Sequence, residues 1–257
     1  MEFLKSLKSD YELWLKKPKT YKKKVDKLSD FFNLKNNHRF VSNYLPSGFS
    51  GRFDKKDQFV MFGLNPGFKR DLNKREELEQ MQNWNSYVNA RKNLYLFFKK
   101  LNHPSDYYRK FWLLFSSLVK DSSKYHTQWD FYDQNLTNLN LFPFHSKGFS
   151  ISKKLSNEQF EFLQERFEEL VNFITKYKPR LFLFNGKPWE VLLINHGLVK
   201  NYDRVPVTKD FILYFFKVGK TPSILFEKFF PRHFWLNNEH RQKIIPDLIM
   251  QQYPKQF

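Results

Sequence analysis

The sequence predicts an α/β protein with three layers, α/β/α, in which a central, mostly parallel sheet of about four strands lies between helices. Three observations carry that expectation. Short apolar runs, Gln58 to Phe62 and Leu181 to Phe184, each lead into a glycine-containing turn. A long amphipathic stretch, Leu155 to Tyr177, stands between them. Strand and helix patterns alternate along the chain before a late hairpin, the order that places helices on both faces of a parallel sheet.

In chain order, residues 1–50 read as a basic, helical N-terminal extension ahead of a domain spanning 51–257. Helical spacing covers Asp10 to Leu15 and Lys23 to Phe32, and the run KKPKTYKKK at 16–24 is either a solvated face or an arm lying on phosphates. The first strand, Gln58 to Phe62, enters GLNPGF at Gly63 to Phe68. Proline fixes φ there and glycine accepts a positive φ, and a buried strand entering such a turn before a helix is how many α/β sites begin. Helical patterning follows over Glu76 to Lys100 and Phe111 to Val119. Asn138 to Phe142 reads as a strand and Pro143 to Gly148 as a loop.

Within 155–177, Phe160, Leu163, Phe167, Leu170, Val171 and Ile174 share one helical face. Ser156 with Gln159 forms a capping box, and Pro179 ends the helix. After the strand Leu181 to Phe184 come Asn185, Gly186 and Lys187, with Pro188 suited to a first helical turn. Phe211 to Val218 and Ser223 to Phe230 read as strands joined by a turn at Gly219 to Pro222. Asn238 to Met250 is helical with a break or kink expected at Pro246.

The composition narrows the chemistry. The chain has 257 residues, of which 41% are hydrophobic, enough for a packed core. Its 31 Phe are matched by AT-rich codon usage as readily as by function, so they are not used as a signal. Lys and Arg number 44 against 26 Asp and Glu, a net charge of +18. Such a balance favours polyanions: nucleic acid, whose phosphates release counterions when neutralised, or an anionic membrane surface. There is no apolar run of about 18 residues, no signal-peptide pattern and no lipidation motif, so a cytoplasmic, nucleoid-associated monomer is expected. The absence of Cys excludes disulfides, thiolate metal sites, iron–sulfur clusters and Cys nucleophiles, and the 7 His show no ligand spacing. No metal and no cofactor are expected.

The strand ending in Gly63-Leu64-Asn65-Pro66-Gly67 resembles the first motif of the uracil-DNA glycosylase superfamily, closest to its mismatch-specific and single-strand-selective branches. Asn140-Leu141-Phe142-Pro143, with Asn140 lying 75 residues beyond Asn65, is similar to the Asn-x-x-Pro stretch of the single-strand-selective branch. The segment LFLFNGK ending at Lys187 resembles a strand–Gly–Lys segment of the mismatch-specific branch, and FFPRHFW at 229–235 stands where the family carries its second catalytic motif. The likeness covers residues 55–245 and departs from the family in that last motif. Phe230 occupies the position of the usual His, and Arg232 that of the usual Ser. A literal His-Pro-Ser at His103 to Ser105 stands too early and reads as a helix-start turn.

The resemblance implies a uracil-DNA glycosylase-like fold. It also implies a monofunctional DNA glycosylase that hydrolyses the N-glycosidic bond of a flipped uracil-like or otherwise modified base, in repair or in defence against modified phage DNA. The alternative is a catalytically inactive nucleic-acid-binding protein that keeps the fold. The partner is DNA, single- or double-stranded. Asn65 would orient the attacking water, and otherwise is an Asx-turn residue before proline. Asn140 would read the base edge, beside Gly63, or else satisfy nearby backbone. Phe68 would stack on the base or pack in the core. His233 would stand in for the missing His, while Arg232 would bind a phosphate. Phe234 and Trp235 would wedge into the duplex or be buried. Lys187, at a helix start, and Ser146 with Lys147 are candidate phosphate ligands.

Overall fold

Four strands run parallel through the centre of the molecule, and nearly all of their residues are buried. The structure, a computed structural model, describes residues 2–65, 82–100, 106–146, 148–230 and 236–257. The parallel set is β2 (Phe59–Gly63), β3 (Leu136–Asn140), β4 (Leu181–Asn185) and β7 (Thr221–Phe226), in spatial order β3-β2-β4-β7. Alternate residues face opposite layers: Val60, Phe62, Phe182 and Phe184 join one core, and Phe59, Met61, Leu181 and Leu183 the other. Phe62 and Phe184 stack across the β2–β4 pair with centroids 4.8 Å apart.

With β1 (Phe49–Ser50), β5 (Asp203–Thr208) and β6 (Phe211–Val218), the sheet has seven strands among the described residues rather than about four, in the order β1-β3-β2-β4-β7-β6-β5. The strand β6 pairs antiparallel with β7, and β5 pairs antiparallel with β6. The two-residue β1 pairs antiparallel with β3 at the other edge. β5 carries Pro206 and mostly polar, exposed residues, which fits an edge strand with one side unpaired. The last strand ends at Phe226, short of the expected Phe230.

Helices cover both faces. One layer holds α1 (Glu2–Lys16), α2 (Pro18–Phe31), α3 (Trp84–Lys92), α7 (Asn157–Thr175) and the single turn α8 (Lys187–Glu190). The other holds α4 (Leu94–Lys100), α5 (Asp106–Leu118), α6 (Gln128–Asn135) and α9 (Ile245–Gln252). The Ser156–Gln159 capping box forms at the start of α7. Described residues of the long helix expected to reach Lys100 divide into α3 and α4 at Asn93. The N-terminal fifty residues pack on the first layer: Phe3, Leu7, Tyr11, Tyr21 and Val25 are buried, and the Phe3 and Phe173 rings lie 4.8 Å apart.

Of the break or kink expected at Pro246, the break does not occur. A π-helical turn, His240–Ile244, widens the helix immediately ahead of it, and α9 continues with Pro246 in its first turn. A proline lacks the N–H and crowds the carbonyl four residues back, and a widened turn relieves both.

Candidate active site

The chain leaving β2 rejoins the sheet at β3 on one side, whereas the chain leaving β4 rejoins it on the other, at β5 and then β6 before reaching β7. Such a reversal opens a crevice at the carboxyl ends of parallel strands, the usual ligand site of open α/β sheets. Gly63 ends β2, Asn140 ends β3 and Asn185 ends β4.

Gly63 and Asn140 are register partners. A β-carbon on Gly63 would lie 2.4 Å from Asn140 Oδ1, so the glycine makes room for the carboxamide. Asn140 is 5% exposed, and its Nδ2 donates to the Ser47 carbonyl at 2.8 Å. One amide hydrogen is thus committed to backbone, which fixes the plane of the group. The parallel ladder continues past the strands, with Leu141 N donating to Gly63 O at 2.9 Å and Phe142 N to Leu64 O at 2.8 Å. This zipper carries the segment after β3 alongside the segment after β2.

Asn65 therefore meets Ser146. Asn65 Nδ2 lies 3.3 Å from Ser146 Oγ and 3.5 Å from its carbonyl oxygen. Ser146 Oγ also accepts the Phe149 N–H at 2.8 Å. Ser146 is 3% exposed. Ser146, expected from the sequence as a phosphate ligand, is thus buried with its hydroxyl against the Asn65 side chain.

The β4 side has different chemistry. Asn185 Oδ1 accepts the Phe230 N–H at 2.9 Å and ties the end of β4 to the chain leaving β7. Gly186 follows at φ +101° and passes its own N–H to Phe226 O at 2.9 Å. Lys187 Nζ pairs with the buried Glu190 carboxylate and lies 3.8 Å from Glu227 Oε1. The hydrogen bond to Glu190 raises the Lys187 ammonium above its usual range. Tyr214 hydroxyl, pushed up by burial, donates to Glu190 Oε1 at 3.4 Å. Lys187, half-exposed and expected from its place after Gly186 to be a phosphate ligand, is paired here with the buried Glu190 carboxylate.

Phe230, which takes the motif His position in the resemblance, is fully buried. Its ring packs on Phe111 at 5.0 Å and Phe226 at 4.9 Å, with the Arg241 guanidinium 5.6 Å from its centroid.

Of the residues singled out from sequence, Gly63, Asn65, Asn140 and Ser146 lie together at the carboxyl ends of β2 and β3, and Lys187 is turned to a separate ion pair. Phe68, Lys147, Arg232, His233, Phe234 and Trp235 lie outside the described residues, as does His103 to Ser105. Sequence reasoning missed the Ser47 carbonyl and Asn185. Asn185 stood in the quoted LFLFNGK segment, but only its Gly and Lys were weighed. Among the described residues no group of His, Asp and Glu is arranged to hold a metal ion, and no helix is long and apolar enough to cross a membrane. No family model and no curated protein matches this chain.

Proposed function

We propose that this protein is a monofunctional DNA glycosylase of the uracil-DNA glycosylase type, acting on a flipped uracil-like or otherwise modified base. The observation that carries the reading is the placement of two motif asparagines at the carboxyl ends of adjacent parallel strands. Asn65 and Asn140 stand 75 positions apart in sequence, yet Asn140 ends β3 beside Gly63, and Asn65 follows Gly63 by two residues at the end of β2. Both side chains are held by hydrogen bonds from their amide nitrogens.

Glycosidic hydrolysis asks little covalent help of a protein. As the C1′–N bond breaks, its electron pair goes to the base and the sugar gains oxocarbenium character. A water oxygen then bonds C1′ and gives up a proton to solvent, and the departing base anion takes one up from solvent. Asn65 Oδ1 accepts a hydrogen bond from that water and aims it, without the basicity to remove the proton outright. Asn140, fixed by Ser47, offers its remaining amide hydrogen and its oxygen to the edge of the extruded base. The +18 net charge supports a DNA substrate.

One observation favours a second reading, a fold that binds DNA without cutting it: Phe230, at the motif His position, lies wholly in the core. One experiment separates the two. Single- and double-stranded oligonucleotides carrying uracil, hypoxanthine, hydroxymethyluracil or glucosylated hydroxymethylcytosine are incubated with wild type and Asn65→Ala, then heated in alkali. Breaks at the modified position that vanish in the variant support the glycosylase. Intact strands with every substrate, alongside normal binding, support the binding protein.

A further inference from the structure

Resting on that reading, we propose that the α1–α2 hairpin is a rigid clamp for DNA phosphates beside the candidate active site. The turn between the helices is lysine-dense. Lys16, Lys17, Lys19, Lys22, Lys23 and Lys24 are all exposed, and no acidic residue lies between positions 16 and 24. Lys24 folds back on Asp10 at 2.5 Å, and Lys22 lies 4.0 Å from Asp26. Lys16, Lys17, Lys19 and Lys23 have no carboxylate partner among the described residues.

This arrangement works against the helix that carries it. Lys19 and Lys23 are four residues apart on one face of α2, where like charges repel. The first turn of α2 has no acidic residue, so the cations sit at the end of the helix where its dipole disfavours them. Charges placed at a cost to local stability point to an external anion.

The hairpin is also fixed in place, which a flexible arm is not. Tyr21, in the midst of the run, is buried with its ring 5.9 Å from Phe144. Phe144 is two residues before Ser146, which holds Asn65. Further along α2, the buried Ser29 hydroxyl accepts the Phe40 N–H at 3.1 Å, and Phe40 packs on Phe142 and Phe149. The helix that carries Lys19 and Lys23 thus packs through Tyr21 on the loop that carries the site, and the clamp would meet the phosphates of a strand delivering a flipped nucleotide. An anionic membrane is the less suitable partner. Apart from Leu15, the large apolar side chains around the turn are packed on the core and offer no face to a bilayer.

The test compares two triple variants in the full chain. Lys16→Gln/Lys19→Gln/Lys23→Gln removes three unpaired hairpin charges. Lys176→Gln/Lys217→Gln/Lys220→Gln removes three exposed charges near the amino-terminal edge of the parallel strands. Affinity for unmodified single-stranded and duplex DNA is measured across a salt series, with vesicles of phosphatidylcholine and phosphatidylserine run in parallel.

The hairpin variant is expected to bind DNA at least about tenfold more weakly near 0.1 M salt. Its duplex salt slope should be shallower by about 0.9 for each phosphate it no longer neutralises. Its melting temperature should stay close to that of wild type, because relief of the Lys19–Lys23 repulsion offsets the loss of Lys16 from the last turn of α1. The edge variant should keep most of the wild-type slope. Equal losses in both variants would overturn the clamp in favour of diffuse charge, and so would lysine-dependent vesicle binding without DNA binding. Because unmodified DNA is used, the glycosylase reading fails or survives separately. A normal hairpin effect without base excision sinks only the chemistry, and excision with an unchanged slope sinks only the clamp.

Discussion

A β-carbon at Gly63 would stand 2.4 Å from Oδ1 of Asn140, so the end of β2 has been left without a side chain where the end of β3 places a carboxamide. The contact is closer than real atoms tolerate. Gly63→Ala must therefore push Asn140 away from the Ser47 carbonyl that its Nδ2 now meets at 2.8 Å. Breaking a buried hydrogen bond of this kind costs about 1–3 kcal/mol. We expect Gly63→Ala to lower the melting temperature and to weaken base recognition, and the same substitution in an Asn140→Ala background to be nearly neutral for stability. A double-mutant cycle by chemical denaturation measures the coupling; additive losses would mean that the two residues do not meet.

Ser146 reaches Asn65 and the Phe149 N–H through one oxygen. Ser146→Ala removes both bonds and leaves the buried Phe149 N–H without that acceptor, at a cost of about 1–3 kcal/mol. If the hydroxyl positions Asn65, kcat should fall with little change in KM, and DNA affinity should hold. A phosphate contact would show the opposite pattern, with a weaker salt dependence of binding. Steady-state kinetics and a salt series on the same variant decide between them.

Lys187 offers the reverse of the hairpin lysines. Its ammonium is committed to Glu190 and Glu227, and the Glu190 side chain is only 8% exposed. Lys187→Gln should lower stability, because it strips a buried carboxylate of its counter-charge, while leaving the salt slope of DNA binding unchanged. The pairing raises the Lys187 pKa above its ordinary 10.5. The stability it contributes is fully present below 10.5 and is lost as pH rises through the higher folded value. Melting curves of wild type and variant should therefore converge in strong alkali.

Asp10 runs the other way. Burial raises its pKa above 3.8, and this outweighs the lowering by Lys24, which lies 2.5 Å away. A carboxyl whose folded pKa is raised disfavours its own ionised form. At neutral pH the folded state carries a charge that it would shed before the unfolded chain does. Asp10→Asn should consequently raise the melting temperature at pH 7. That gain should shrink as pH falls through the folded pKa and vanish below 3.8, where wild type is protonated in both states. A lower melting temperature at pH 7 would show that the Lys24 pair outweighs the burial.

The elements legible in the sequence were those whose residues settle their own structure. β2 and β4 are apolar throughout, and α7 shows both its buried face and its capping box. β5 escaped notice because its sequence, DRVPVT, is polar and contains a proline, and only pairing with β6 makes it a strand. β1 has two residues and exists through β3. The helix α6 carried a signal that was overlooked, the Thr127–Asp130 capping box. The site divides in the same way. Asn65, Gly63 and Asn140 stood out by motif, whereas Ser146's hold on Asn65 arises only when the chains after β2 and β3 zip together.

Phe230 tests how far motif positions can be carried from a family to this chain. Restoring the expected residue, Phe230→His, would place an imidazole among Phe111, Phe211 and Phe226 with the Arg241 guanidinium nearby. A polar ring buried there without a partner costs about 1–3 kcal/mol. Burial and the neighbouring cation both disfavour the imidazolium, so the folded pKa falls below the unfolded value of about 6.5. The destabilisation should then deepen as pH drops through about 6.5, where the unfolded chain takes up a proton that the folded one refuses. Base excision should not improve. Should Phe230→His instead cut faster at an unchanged melting temperature, the side chain would face the crevice, and its placement in the aromatic core would be wrong.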